Sequence, residues 1–151
     1  MFQKILCPTD LQERSHLALE KAVQLAHQFN SEITLLNVHP EFMNEEEREM
    51  LRVSVEKMKK KYSQTAVKAR EKMQEIIHEL HAETVPLHYL LRGGKPDATI
   101  LKVAEEMNAD LIVMASDGRN NIGDFVAGTI TEHVMNHSVC PVLVVPVPEK
   151  S

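Results

Sequence analysis

The sequence predicts an α/β fold with a mainly parallel sheet and helices on both of its faces. Five short apolar runs, each suited to a strand, alternate with segments whose apolar residues recur at helical spacing. The chain has 151 residues, of which 43% are hydrophobic, and this is enough for one domain with a full core. We therefore expect a single domain over residues 1–151.

The N-terminal region predicts two strands that flank one amphipathic helix. Lys4–Pro8 is a short apolar run typical of a strand covered on both faces. Apolar residues at approximate helical spacing follow over Gln12–Phe29, and Asn30 is the predicted C-cap. The second strand is predicted at Glu32–Val38.

The middle of the chain predicts a long helical segment and an edge strand. The helical pattern starts at a capping sequence at Asn44 and reaches about His81. A straight helix of that length would measure roughly 55 Å, too long for this domain, so we expect a break or bend between residues 39 and 65. The third strand is predicted at Thr84–Leu91, where Pro86 favours an edge because proline has no N–H to donate.

The last third predicts two more helices and two more strands. In order, they are a helix at Asp97–Met107, a strand at Leu111–Ala115, a helix from Gly128 or just before it to His137, and a strand at Pro141–Pro146. Ligands of such sheets bind at the carboxyl ends of strands where the strand order reverses. The residues that follow the first and fourth strands are therefore the candidate binding residues, because both loops face one crevice if these strands are neighbours.

Composition and charge exclude several classes of function. The formal net charge of −5 argues against nucleic-acid binding, which needs a basic surface. No apolar run approaches the roughly 20 residues of a membrane helix, and the N-terminus lacks the pattern of a signal peptide, so we expect no membrane insertion. Cys7 and Cys140 are interpreted as small core residues, not as a redox pair. The expected location is the cytoplasm.

The strongest local signal is the apolar strand at Leu111–Ala115 and the glycines after it. Gly118 is followed by nine residues and then by Gly128 and Thr129, which open a helix. Glycines admit a close backbone approach, and a helix N-terminus offers N–H groups, so together they form an anion cradle. The segment is neither a Walker loop nor a GxGxxG fingerprint. The alternative is close helix packing, with Thr129 as the cap.

Four segments carry a resemblance to a known family. They are Ile5-Leu6-Cys7-Pro8-Thr9-Asp10; the strand end Asn37-Val38; Gly94-Lys95-Pro96 with Ile100 and Ala104 behind it; and the C-terminal third, from Ala109-Asp110-Leu111-Ile112-Val113-Met114 through Gly128-Thr129 to Cys140-Pro141-Val142-Leu143-Val144-Val145-Pro146. The chain resembles the universal stress protein family over nearly its whole length, and least over residues 45–75.

One position departs from the pattern of the nucleotide-binding branch of that family. The branch has Gly-x-x-Gly, nine residues, and then Gly-Ser or Gly-Thr. Here Gly118, the spacer, Gly128 and Thr129 match, whereas Ala115 replaces the first glycine. If that position needs a positive φ, alanine costs roughly 1 kcal/mol. If it needs only a close approach of the backbone, one methyl group is tolerated.

The resemblance implies a doubly wound, five-stranded sheet in the order 3-2-1-4-5, of the adenine nucleotide alpha hydrolase-like type. It also implies a homodimer paired through Val142–Val145. The implied ligand is an adenine nucleotide, ATP or AMP, with Mg²⁺ as a candidate companion of the phosphates. Asp10 would hold the ribose, Val38 would meet the adenine edge, and Pro8 and Thr9 would pack beside the nucleoside. Residues on the phosphate side would be Met114, Ala115, Gly118, Gly128, Thr129 and Ile130.

Several of these residues have an alternative role that the sequence leaves open. Asp10 is also suited to capping the first turn of the first helix. Three roles stay open for Asp117: it would point to solvent, recruit Mg²⁺ or bias the site toward fewer phosphates. Arg119 is a charged donor that would offset the negative charge of Asp117. The spacings His78-x-x-His81 and His133-x-x-x-His137 lack a third metal ligand, so we expect surface or half-buried histidines and no metal site. We find no catalytic residue.

Three functions stay open on the sequence alone. The leading one is a stress-response regulatory protein that binds an adenine nucleotide. The second is a slow ATPase that uses the same cradle, although no clear catalytic base accompanies it. The third is a protein-interaction module without nucleotide, in which Ala115 would mark lost affinity.

Overall fold

Five parallel strands form one sheet in the order β3-β2-β1-β4-β5, which confirms the predicted fold class and strand order. The computed structural model describes residues 1–13, 15–39, 55–116 and 128–147. The strands are β1 (Lys4–Thr9), β2 (Glu32–His39), β3 (Leu87–Gly93), β4 (Leu111–Ala115) and β5 (Val142–Val145). The helices within the described ranges are α1 (Ser15–Phe29), α2 (Val55–Glu79), α3 (Pro96–Glu106) and α4 (Thr129–His137).

Two apolar layers cover the two faces of the sheet, as right-handed crossovers on a parallel sheet require. Because strand side chains alternate between faces, odd-numbered β1 residues such as Ile5 join the layer of α1 and α2. Leu6 points the other way, into the layer that contains Ile100 of α3 and Val134 of α4. The first layer includes Cys7, which is fully buried as predicted, whereas Cys140 is half-buried, and both thiols are free.

The start of α1 differs from the prediction. The helix begins at Ser15 and not at Gln12, because the N–H groups of Ser15 and His16 bond to the carbonyls of Gln12 and Glu13, three residues back, which is the pattern of a turn and not of an α-helix. The other end agrees with the sequence. Asn30 has a φ of 54°, and the N–H of Ser31 reaches back to the carbonyl of Ala26 at 3.0 Å, so the predicted C-cap is confirmed.

Helix α2 extends into the segment in which we expected a break. It runs continuously from Val55 to Glu79, so the break is not at residues 55–65. A helix of this length measures roughly 37 Å, and Ala69, Met73, Ile76 and Ile77 of its C-terminal half are buried in the core. The capping start predicted at Asn44, and the rest of the segment in which we expected a break, lie outside the described residues.

Strand β3 starts three residues later than predicted. The N–H of Val85 donates to the carbonyl of Ala82 in a turn, and Pro86 cannot donate, so pairing begins at Leu87. The carbonyl of Pro86 still accepts the N–H of Ile33 at 2.9 Å. The edge position that Pro86 favoured is confirmed, because β3 ends the sheet next to β2.

The remaining elements lie within a residue or two of their predicted bounds. Helix α3 begins at Pro96, where the fixed φ of proline suits the first turn of a helix. Strand β4 has the predicted bounds, and Gly128 caps α4 from just outside it. None of the described helices is long and apolar enough to cross a membrane.

Candidate functional site

A cavity of about 140 Å³ lies at the carboxyl ends of β1, β2 and β4. A single buried water needs only on the order of 10–15 Å³ by the same kind of measure, so this space is much larger than a water site. Its wall is mostly apolar and belongs to the layer of α3 and α4. The lining residues are Pro8, Thr9, Asp10, Ser15, Leu36, Val38, Pro96, Ile100, Met114, Ala115, Ser116 and Ile130.

The cavity occupies the point at which the strand order reverses. From β1 the chain continues to β2 and then β3 on one side, whereas β4 and β5 lie on the other side. Strands β1 and β4 are direct neighbours, with Ile5 opposite Leu111. Loops that leave two such strands diverge to opposite faces, and the gap between them is where open α/β sheets bind ligands.

The structure brings most of the predicted site residues to this cavity. Seven of them line it, namely Pro8, Thr9, Asp10, Val38, Met114, Ala115 and Ile130. Gly128 and Thr129 directly precede Ile130 at the start of α4. Gly118 and Arg119 lie outside the described residues, as does Asp117.

Gly128 adopts a backbone conformation that requires glycine. Its φ of 94° and ψ of 161° lie in a region that side chains with a Cβ essentially never occupy. Gly128 is the N-cap of α4, and no side-chain hydrogen bond caps the helix there. The alternative role of Thr129 as the cap is therefore wrong, because Thr129 is the first helical residue. The positive end of the helix dipole and the backbone N–H groups at this N-terminus favour an anion.

The backbone position that Ala115 occupies does not require glycine. Ala115 lies in extended backbone at the end of β4, opposite Val145 of β5. Its methyl group packs against the apolar layer of α1, while the neighbouring Met114 belongs to the layer of α3 and α4. The strain that a positive φ would impose on alanine is therefore absent.

The end of β4 is held from two sides. The hydroxyl of Thr131 in α4, which is fully buried, donates to the carbonyl of Ala115 at 3.3 Å. On the other side, the N–H of Ser116 donates to the carbonyl of Val145 at 3.0 Å, and the Ser116 hydroxyl accepts the N–H of Val147. These bonds tie the start of α4 and the edge strand β5 to the floor of the cavity.

Asp10 places a carboxylate at the cavity directly after β1. Its Oδ1 accepts hydrogen bonds from the N–H of Gln12 at 2.9 Å and from the hydroxyl of Ser15. Since α1 begins only at Ser15, the Asp10 side chain organises the loop and does not cap the first turn of the helix in the predicted way.

Burial raises the pKa of the Cys7 thiol in β1 to about 12, so Cys7 supplies no thiolate nucleophile.

Comparison with known proteins gives this architecture a family. The model of the universal stress protein family matches residues 1–146. This chain belongs to the universal stress protein family. Universal stress protein MJ0577 of Methanocaldococcus jannaschii is 31% identical over 155 residues, which cover 96% of this chain and 95% of that one.

Solved structures show the same fold. A structure of MJ0577 matches with a TM-score of 0.76 at 30% identity, covering 99% of each chain. A universal stress protein in complex with cAMP matches with a TM-score of 0.70 at 18% identity, over 96% of this chain and 97% of that one. The Archaeoglobus fulgidus universal stress protein in complex with dAMP matches with a TM-score of 0.63 at 18% identity, over 95% and 97%.

The sequence did not assign five lining residues of this universal stress protein. Some carried a usable signal. Leu36 precedes Val38 by two residues and so shares its face of β2. Ser116 follows Met114 by two residues and lies on the same side of the chain for the same reason. Pro96 and Ile100 belong to a segment that carries the family resemblance, but no binding role was predicted for them. Ser15 had no signal of its own, because its place depends on the loop that leads to α1.

The histidine pairs of this universal stress protein do not form a metal site in the described part of the chain, where no group of three or more metal-ligating side chains occurs. His133 and His137 stack at a ring centroid distance of 4.2 Å, and His133 Nε2 lies 3.9 Å from Asp97 Oδ2. His78 is exposed and contacts Glu83 at 2.9 Å. The predicted surface or half-buried positions are confirmed for His78 and His133.

Proposed function

We propose that this universal stress protein is a stress-response regulatory protein that binds an adenine nucleotide, ATP or AMP, across β1 and β4. One observation carries the proposal. The cavity at the switch point combines a carboxylate, Asp10, an apolar wall and the N-terminus of α4. A nucleotide has the same three parts, because ribose hydroxyls suit a carboxylate, a base suits an apolar wall, and phosphates suit a helix N-terminus.

The nucleoside would lie between β1 and β2. Asp10 would accept hydrogen bonds from the ribose hydroxyls, and Pro8 and Thr9 would pack beside the sugar. Val38, one strand away at the end of β2, would meet the adenine edge through its backbone groups. The apolar side chains that surround this space support the assignment, since bases bind in largely apolar clefts with few polar contacts.

The phosphates would lie over the end of β4 and the start of α4. Met114, Ala115 and Ile130 form this side of the cavity, and Gly128 and Thr129 open the helix. Without a Cβ, Gly128 lets an anion approach the backbone closely. Gly118 and Arg119 would complete the cradle from the far side of the spacer, and Mg²⁺ would accompany the phosphates.

The solved relatives support this choice of ligand at the level of the fold. Two proteins of the same architecture are complexes with cAMP and with dAMP. The fold therefore accommodates an adenine nucleotide, and the residues around the cavity of this chain have the chemistry to hold one.

Binding is favoured over hydrolysis by the side chains of the cavity wall. Among the described lining residues, Asp10 is the one with an ionisable side chain, and its Oδ1 is engaged by Gln12 and Ser15. A slow ATPase would need a further residue to position water. An assay of multiple-turnover hydrolysis on the same preparation tests that alternative directly.

The test is calorimetric titration with ATP and with AMP, each with and without Mg²⁺, together with mass spectrometry of nucleotide released by denaturing the purified protein. We expect binding below millimolar concentration. Asp10→Ala removes hydrogen bonds to a charged acceptor, each worth roughly 1.5–3 kcal/mol, so affinity falls about ten- to a hundredfold.

Glu20→Ala is the matched control, because it removes the same charge from an exposed position of α1. It should bind as the wild type does. Failure of the wild type to bind any adenine nucleotide below millimolar concentration would contradict the proposal. Only that outcome would favour the nucleotide-free interaction module. Normal binding by Asp10→Ala would instead contradict the assignment of Asp10 to the ribose.

We also propose that the protein is a homodimer paired through Val142–Val145. Strand β5 is a sheet edge, and such an edge leaves backbone groups available to another strand. Val142 and Val145 pack on the two core layers, whereas Leu143 is 37% exposed. Val139, just before the strand, is 78% exposed. An apolar edge of this kind suits a second copy of itself.

A further inference from the structure

The loop between β1 and α1 holds Asp10 in an unusual backbone. Leu11, the next residue, has a φ of 64°, which is a costly conformation for a residue with a branched side chain. The hydroxyl of Thr9 accepts the N–H of Leu11 at 3.0 Å and so closes a tight turn around Asp10. Such a conformation persists only where the surrounding contacts maintain it.

Ser15 makes two contacts with the same residue. Its hydroxyl donates to Asp10 Oδ1 and accepts the N–H of Asp10 at 3.3 Å. The N–H of Gln12 donates to the same carboxylate oxygen at 2.9 Å. Ser15 is only 7% exposed and lines the cavity beside Asp10. The N–H of Gln12 and the buried hydroxyl of Ser15 thus both restrain the rotation of the carboxylate.

Asn37 fixes the other side of the loop. It lies opposite Thr9 in the pairing of β1 with β2, is 3% exposed, and donates from Nδ2 to the carbonyl of Thr9 at 3.0 Å. The peptide that leads into Asp10 is therefore tied to β2, and the residue itself is tied to the start of α1. These contacts converge on one carboxylate at the mouth of the cavity.

We infer that Ser15 is a positioning residue that orients the Asp10 carboxylate toward the ribose hydroxyls of the nucleotide. The inference rests on the proposed function, because it gives Ser15 a purpose only if Asp10 contacts the ligand. An ionised carboxylate offers about four acceptor positions, so the hydroxyl of Ser15 orients Asp10 without consuming its capacity. Preorganisation of this kind raises affinity because the ligand need not order the side chain.

A role in loop structure alone would make a different prediction. Loss of the Ser15 hydroxyl would then lower stability but would affect all nucleotides equally. A positioning role acts through the ribose hydroxyls. The ratio of affinities for ATP and for 2′,3′-dideoxy-ATP, which lacks both hydroxyls, therefore separates the two.

The experiment titrates both nucleotides into the wild type, Ser15→Ala, Ser15→Thr and Asp10→Ala. We expect Ser15→Ala to weaken ATP binding by about five- to twentyfold, less than the loss of the Asp10 carboxylate itself because Ser15 acts only through Asp10, and to leave dideoxy-ATP binding unchanged. Ser15→Thr keeps the hydroxyl and should restore the wild-type ratio. Ser138→Ala removes a serine hydroxyl whose contacts are with Cys140 and should change neither affinity.

The outcomes separate the two proposals. A wild-type preference for ATP that Asp10→Ala abolishes and Ser15→Ala retains would overturn the role of Ser15 alone. A wild type without preference, or a preference that survives Asp10→Ala, would overturn the ribose assignment of Asp10 and the role of Ser15 with it. If Ser15→Ala does not fold, Ser15→Cys replaces it, since it fills similar volume with a much weaker donor.

Discussion

At the scale of single residues, Ala115 lines the cavity from the end of β4. In the sequence it replaces a glycine of the nucleotide-binding pattern and suggests lost function. In the structure it is the last residue of β4, with an extended backbone and a methyl group directed to the α1 layer. The departure from the pattern therefore imposes no backbone strain, and Met114, on the other face of the strand, lines the cavity.

Ala115→Gly tests that reading. We expect the affinity for ATP to change by less than about twofold, because the methyl group packs away from the α3 and α4 face of the strand. Stability should fall by roughly 0.5–1 kcal/mol, because glycine in a strand loses more conformational entropy on folding. Calorimetry and urea unfolding measure the two effects. A tenfold gain in affinity would show that the methyl group obstructs the ligand.

At the scale of elements, the junction of β4 with α4 combines a strained glycine with hydrogen bonds that bind the helix to the strand. Gly128 takes a conformation open to glycine alone, and the Thr131 hydroxyl one turn into the helix holds the carbonyl of Ala115. The helix is only nine residues long, so its position depends on these tertiary contacts more than on its own helix propensity.

Gly128→Ala should therefore destabilise the fold. We expect a loss of about 1–3 kcal/mol, the cost of holding a Cβ-bearing residue in that region, measured by urea unfolding at a fixed protein concentration. Gly93→Ala is the control, because Gly93 lies in the regular pairing of β3 with β2, opposite His39. Equal stabilities of the two variants would contradict the argument from backbone strain.

At the scale of the whole molecule, the sheet order leaves two edges with different chemistry. Strand β3 is an edge whose exposed positions include Arg92, which forms an ion pair with Glu106, and His88, whose Nε2 lies 3.9 Å from Glu32 Oε2. Strand β5 is short, bounded by prolines and apolar throughout. A charged edge resists pairing, whereas an apolar edge favours it, so self-association is expected at β5.

Val144→Lys places a charge in that edge and should raise the monomer fraction. Light scattering at micromolar concentration should show a dimer for the wild type and a larger share of monomer for the variant. Val67→Lys is the control, since Val67 is 57% exposed on α2, away from β5. A wild-type protein that is monomeric, or a variant that dimerises as well as the wild type, would place the interface elsewhere or remove it.

The strand and helix content followed from the sequence because each signal is local. Apolar runs such as Leu111–Ala115 and helical periodicity such as that of α1 need no information about distant residues. Asn30 as a C-cap and Pro86 beside an edge strand were predicted for the same reason, since each rests on the backbone chemistry of one residue. The strand order came from the family resemblance, because strand periodicity alone is compatible with other arrangements.

The errors arose where a residue's conformation depends on its partners in space. Leu11 has nothing in its side chain that predicts a left-handed backbone. That conformation accompanies the contacts of Thr9 and Asp10 around it, and turn bonds at Gln12 and Glu13 follow before α1 begins at Ser15. The late start of β3 has a similar origin in the turn at Val85.

By itself, the sequence determined the elements, the two apolar layers and the residues after β1 and β4 as the place to look for a site. Tertiary structure alone decided that Ser15 and Asn37 hold Asp10 in place, that Pro96 and Ile100 wall the cavity, and that Ala115 is unstrained. The physical reason is that periodicity records which face a residue turns to the core. Hydrogen bonds and cavities depend on pairs of residues that are distant in the chain and meet only after the sheet has formed.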